Sequence, residues 1–149
     1  MAAPGRLKHF MHFEDIAKNL PALFGALLVS ILFIQSGLDK IFDWKGNLEW
    51  LTGHFSKTFV SGLVPVMLAK ITILEVLTGL SAAAGIIYFL VIGSTVLIFW
   101  SAVLGTATIT GLFFGQRVAK DYAGAAVLVP YFILLSLLMY LTNPFLKGD

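Results

Sequence analysis

PVMLAKITILEVLTGLSAAAGIIYFLVIGSTVLIFWSAVLGTATITGLFFGQ, Pro65 to Gln116, carries two charged side chains, Lys70 and Glu75, and from Val76 onward none. A helix needs about 20 apolar residues to cross the roughly 30 Å hydrocarbon core of a bilayer, so this run is too long for one crossing and suits two. Its apolar residues are continuous rather than alternating, which excludes the strands of an outer-membrane barrel. In lipid every backbone N–H and C=O needs an internal partner, and helices remain. The small residues Ser81 to Gly85 mark the expected turn, giving spans over about 65–84, opened by Pro65, and 86–108.

The rest of the chain extends the pattern. Asn19 to Leu38 and Tyr122 to Phe145 are also free of charge. They give a first span over about 21–40, opened by Pro21, and a fourth over about 121–141 that stops before Asn143-Pro144. Hydrophobic residues make up 58% of the 149 and charged ones 12%, outside the range of soluble domains. The expected fold class is all-α integral membrane: one domain over residues 1–149, a four-transmembrane-helix up-down bundle behind a polar segment at 1–18. Arg6, Lys8 and Lys18 precede an apolar run too long for a signal-peptide core, with no small-x-small site after it, so the first span is expected to be retained.

An even number of spans puts both termini on one side. Arg6, Lys8, Lys18 and Lys147 then oppose Lys40, Lys45, Lys57, Arg117 and Lys120, a division too even to orient the bundle. These cations flank spans, so the net charge of +2 is no sign of nucleic-acid binding, and none is expected; the lipid bilayer is the expected environment.

The absence of Cys excludes thiol catalysis, iron–sulfur ligation and Cys-based zinc sites within the chain. His9, His12 and His54 all lie outside the expected spans, so no two helices clamp a haem between imidazoles, and His9 and His12 lack acidic co-ligands at a useful spacing. No metal site is expected. No phosphate loop or Ser/His/Asp set appears either.

Lys70 and Glu75 therefore carry most of the chemical information. At about 1.5 Å per residue, Glu75 lies about 15 Å from a start at Pro65, near the midplane, and Lys70 about half as deep. Ten Leu, Ile and Val residues between Pro65 and Ile87 favour insertion by about 3–6 kcal/mol, while two charges cost about 5–7 kcal/mol, so this span needs the bundle around it. Five residues apart, the two charges sit about 140° around the helix and do not face each other. Glu75 must be neutral or find a partner on another helix: Lys40 after span one, or Arg117, Lys120 and Asp121 before span four. All belong to one membrane side, where a polar vestibule would narrow toward Glu75. The bland alternatives are a snorkelling Lys70 and a Glu75 pair that only orders the bundle.

The connector Ile41 to Val60 places Trp44, Leu48, Leu51, Phe55 and Phe59 at helix-face spacing, the pattern of a short amphipathic interfacial helix. Trp44 and His54 are candidates to cap the vestibule; Trp44 and Trp50 also suit an aromatic belt. Ser94, Ser101, Gly105 and Thr108 form a small-residue stripe on span three, suited to close helix packing.

SGLDKIFDW (Ser36 to Trp44), EVLTG (Glu75 to Gly79) and KDYAGAAVL (Lys120 to Leu128) resemble the DoxX-like membrane proteins, four-helix proteins related to the small subunit of thiosulfate:quinone oxidoreductase. The resemblance runs from Pro21 onward through Gly37 and Lys40, Glu75 and Gly79, and Asp121; Lys70 and the long aromatic connector depart from it. It implies a subunit of a respiratory or redox-stress complex in the bacterial or archaeal cytoplasmic membrane, with cytoplasmic termini, protein partners and a nearby quinone. The expected site is thus Lys40, Lys70, Glu75, Arg117 and Asp121, holding a quinone head group or relaying protons. A transporter or proton-conducting protein, and a structural or assembly subunit without chemistry of its own, are the other readings.

Overall fold

A computed structural model describes residues 13–146. Arg6, Lys8, His9, His12 and Lys147, and with them the polar start and the sidedness of the termini themselves, lie outside the described residues. Five helices follow in order: α1 (Phe13–Phe42), α2 (Trp44–His54), α3 (Val64–Ile92, entered through a single 3-10 turn), α4 (Val96–Val118) and α5 (Tyr122–Thr142). All but α2 are long and apolar enough to cross a membrane.

The four long helices form an up-down bundle in which α1 packs chiefly on α3, α4 on both α3 and α5, and α5 closes back on α1. Ala26, Val29, Phe33, Ala82, Ile98 and Leu135 meet at its centre. Large apolar side chains cover the outside as well, among them Ile31, Ile73, Ile87 and Ile133. Helices apolar all round belong in lipid. The hydroxyls inside are satisfied locally: those of Thr78, Ser101 and Thr108 donate to the carbonyls of Leu74, Ile98 and Leu104 at 2.7–2.8 Å.

Two span boundaries differ from the expected ones. Ser81 to Gly85 is not a turn; α3 runs on to Ile92 and Ala82 is fully buried in the core, so the small residues serve close packing. The turn falls at Gly93, whose φ of +82° is the left-handed conformation that ends helices at little cost for glycine. The third span is therefore Val96–Val118, and Ser94 lies in the turn rather than on the stripe. Ser101, Gly105 and Thr108 are buried on α4. Pro21 likewise does not open α1 but sits inside it.

The connector folds as expected into a short helix, α2, with no buried residue of its own. Asp43 caps it by accepting from the Gly46 N–H at 3.1 Å. Leu48 and Leu51 pack with Phe55, Val60 and Val64 into a second small core. Trp44, 37% exposed, and Phe59, 82% exposed, face away from it.

Register between α1 and α3 shapes this end of the molecule. A Cβ added at Gly79 would stand 2.7 Å from the Ile34 backbone nitrogen, so the two backbones are nearly in contact there. Nearer the end of α1, Gly37 lies against Val76 and Glu75. Counting onward along antiparallel helices, α1 stops about level with residue 71, and α3 continues about 10 Å beyond it. That shortfall leaves a notch, which α2 bridges obliquely.

Candidate functional site: a cavity beside a buried ion pair

Glu75 is 2% exposed, a carboxylate enclosed by helices. Lys40, in the last turn of α1, reaches it across the helix interface: Nζ lies 2.9 Å from Oε2 and 3.1 Å from Oε1. Ser36, four residues before Lys40 and so on the same helix face, completes a triad. Its hydroxyl accepts from Lys40 Nζ at 2.9 Å and donates to Glu75 Oε1 at 2.9 Å. Lys40 also donates to the Ser36 carbonyl at 3.3 Å.

An ammonium has three protons, and these are committed to Ser36 Oγ, Ser36 O and Glu75 Oε1. Oε2 keeps the ionic contact with Nζ but no aligned donor, so one buried carboxylate oxygen has its lone pairs free. The ion-pair distance and the missing hydrogen bond are therefore compatible. The chemistry available is that of a proton-accepting oxygen behind an ammonium, with a hydroxyl bridging the two.

Beside this triad the notch holds a cavity of about 260 Å³ between α2, α3 and α4. Leu51, Phe55, Leu68 and Leu112 contribute to its apolar walls. Its polar wall groups are few: Lys40, Lys70, His54 and Gln116, with the Trp50 ring beside them. Glu75 stands behind Lys40, outside the wall. His54 Nε2 lies 2.9 Å from Gln116 Oε1, and its ring stacks on Trp50 at 4.5 Å between centroids. The hydrogen bond fastens the end of α2 to α4, and the stack, within α2, holds the imidazole in place.

The expected site residues divide accordingly. Lys40 and Glu75 meet, and Lys70 and His54 share the cavity wall with Lys40. Arg117 is not in that wall; its guanidinium lies 4.5 Å over the Tyr122 ring. Asp121 caps α5 by accepting from the Gly124 N–H at 2.8 Å, with one oxygen 3.9 Å from His54 Nε2. Trp44 does not line the cavity. Ser36 and Gln116 are the functional candidates that residue-by-residue reading passed over, and Trp50, read as suited to an aromatic belt, lines the cavity. Ser36 carried a usable signal, four residues from Lys40; Gln116, the last uncharged polar residue before Arg117, carried a weaker one.

Among the described residues no group of His, Cys, Asp and Glu is arranged to hold a metal ion. Fold and site together define a multi-pass four-helix membrane protein with an ion pair behind an apolar cavity. No family model matches the chain, and no curated protein or solved structure does.

Proposed function

We propose that this chain is a redox-linked subunit of the bacterial or archaeal cytoplasmic membrane, DoxX-like in kind, with cytoplasmic termini and protein partners, whose cavity receives a quinone-type head group. The observation that carries this reading is the Lys40 ammonium in the wall of a mostly apolar cavity, with the Glu75 carboxylate behind it. A ring bearing carbonyl oxygens needs apolar walls for its faces, donors for its oxygens and a path for protons. Lys40 and the His54–Gln116 pair are the polar groups, and Ser36 links Lys40 to a carboxylate with a free oxygen. A ring oxygen would most readily displace the long 3.3 Å bond from Lys40 to the Ser36 carbonyl. At about 260 Å³ the space suits a ring head group rather than a larger ligand, for which pockets of about 300–1,000 Å³ are usual.

Trp50 supplies the test. With Trp44→Phe and Trp100→Phe leaving it as the single tryptophan, titration of 2-methyl-1,4-naphthoquinone into nanodiscs should quench its fluorescence to saturation. Gly111 lines the cavity, and a Cβ there meets nothing within 4 Å, so a side chain can start from this position, and Gly111→Leu should abolish the saturable part. Linear quenching, identical in both proteins, overturns the proposal.

One observation favours a second reading. Glu75 Oε1 accepts from both Ser36 and Lys40, closing the triad without any ligand, as a purely structural clamp between α1 and α3 would. In that case the triad governs stability and the cavity binds nothing.

A further inference from the structure

The charges around the cavity do not cancel. Lys40 is neutralised by Glu75 at 2.9 Å. Lys70, on α3, lines the same cavity and has no hydrogen bond or ion pair among the described residues. Three acidic groups have partners of their own: Glu75 has Lys40 and Ser36, Asp121 caps α5 and Asp43 caps α2. Asp39 and Glu49 are exposed. His54, hydrogen-bonded to Gln116, adds no negative charge. Lys70 is itself exposed, so the rim of the cavity presents one positive charge without a partner among the described residues beside apolar surface, a place where an anion is favoured.

We propose that the occupant of this cavity is the anionic form of a ring head group, with Lys70 as its counter-ion and as the residue that makes the cavity prefer an anion over its neutral isostere. This inference rests on the quinone reading above and adds the charge of the ligand to it. Lys40 cannot supply that preference, because its charge is already spent on Glu75. Lys70 has no partner among the described residues to give up, so an incoming anion gains its attraction without breaking a pair seen there.

Two naphthoquinones of nearly equal shape separate charge from fit. 2-Methyl-1,4-naphthoquinone is neutral, and 2-hydroxy-1,4-naphthoquinone is an anion at neutral pH. In the single-tryptophan protein, in nanodiscs of phosphatidylcholine, the hydroxy compound should bind about tenfold more tightly, a difference of about 1.4 kcal/mol. Lys70→Met should bring the ratio to about one, and Lys70→Arg should keep it. Saturable binding of both compounds with equal affinity overturns this inference and leaves the quinone reading standing, as a Lys70 that snorkels to the interface would produce. A preference that survives Lys70→Met also overturns it, by assigning the charge to another group. Failure of both compounds to bind defeats the quinone reading and this inference with it. Repeating the comparison with phosphatidylglycerol present identifies a competing source of anion: if the preference vanishes, the lipid phosphate is the partner of Lys70 and the proposal fails; if it persists, the cavity selects the ring.

Discussion

Replacing the members of the Lys40–Glu75 pair one at a time and then together measures what holds α1 on α3. In Lys40→Met the carboxylate, 2% exposed, keeps only the Ser36 hydroxyl, and an orphaned buried charge of this kind costs about 3–5 kcal/mol. Glu75→Gln should be milder. The amide oxygen can still accept from Ser36, and Lys40, 17% exposed, can turn its ammonium toward the cavity, so the loss should be near that of a hydrogen bond to a charged group, about 1.5–3 kcal/mol. Placing Glu75→Gln on top of Lys40→Met leaves no orphan charge and should recover about 2 kcal/mol, within the range of coupling between residues in contact.

Reversible unfolding in mixed micelles, followed by helical circular dichroism, gives the three differences needed for the cycle. If the single effects add to within about 0.5 kcal/mol, or Lys40→Met lies within that margin of the unsubstituted protein, the triad is not a coupled unit and the account of Glu75 fails. Activity in the native membrane asks a different question. Under the proposed quinone reading, a double variant that assembles normally but loses quinone-dependent turnover separates proton handling from clamping.

Two further outcomes follow from the packing and the topology. Gly79→Ala should destabilise the bundle by about 1–3 kcal/mol, because the new Cβ would stand 2.7 Å from the Ile34 backbone nitrogen and the helices must separate; unchanged stability in the same unfolding assay would show that α1 and α3 do not approach this closely. Single cysteines at Gly53 in α2 and Ser94 in the α3–α4 turn should label from opposite faces of the membrane, and labelling of both from one side would refute the up-down order.

The helical spans were legible because lipid imposes a length and forbids charge, and both are visible in a string of letters. The α3–α4 turn was not, since in a bilayer small residues have two uses. Ser81 to Gly85 reads as a weak point in a helix, yet Ala82 is wholly buried and the stretch serves contact. The better signal was Gly93-Ser94-Thr95, a glycine able to take a positive φ followed by two hydroxyl residues at the head of the next helix. Glu75's partner was legible only as one of a short set, Lys40 after span one or Arg117, Lys120 and Asp121 before span four, and the geometry selects Lys40. The cavity was not legible, because it depends on how far α1 slides along α3, a register set by the contacts at Gly37 and Gly79.

That register also explains why the polar groups gather where they do. Had α1 continued to the level of Val64, its apolar face would have covered the first turns of α3, and Lys70 would meet either lipid or another helix. Because α1 ends early, Lys40 lies close enough to its end to turn into the bundle and meet Glu75, while α2, joined through the single residue Asp43, bridges the gap without filling it. His54 then fastens the far end of that bridge to Gln116 on α4. Leu48 and Leu51, packed with Phe55, Val60 and Val64, hold its middle, so the wall that α2 contributes rests on both sets of contacts.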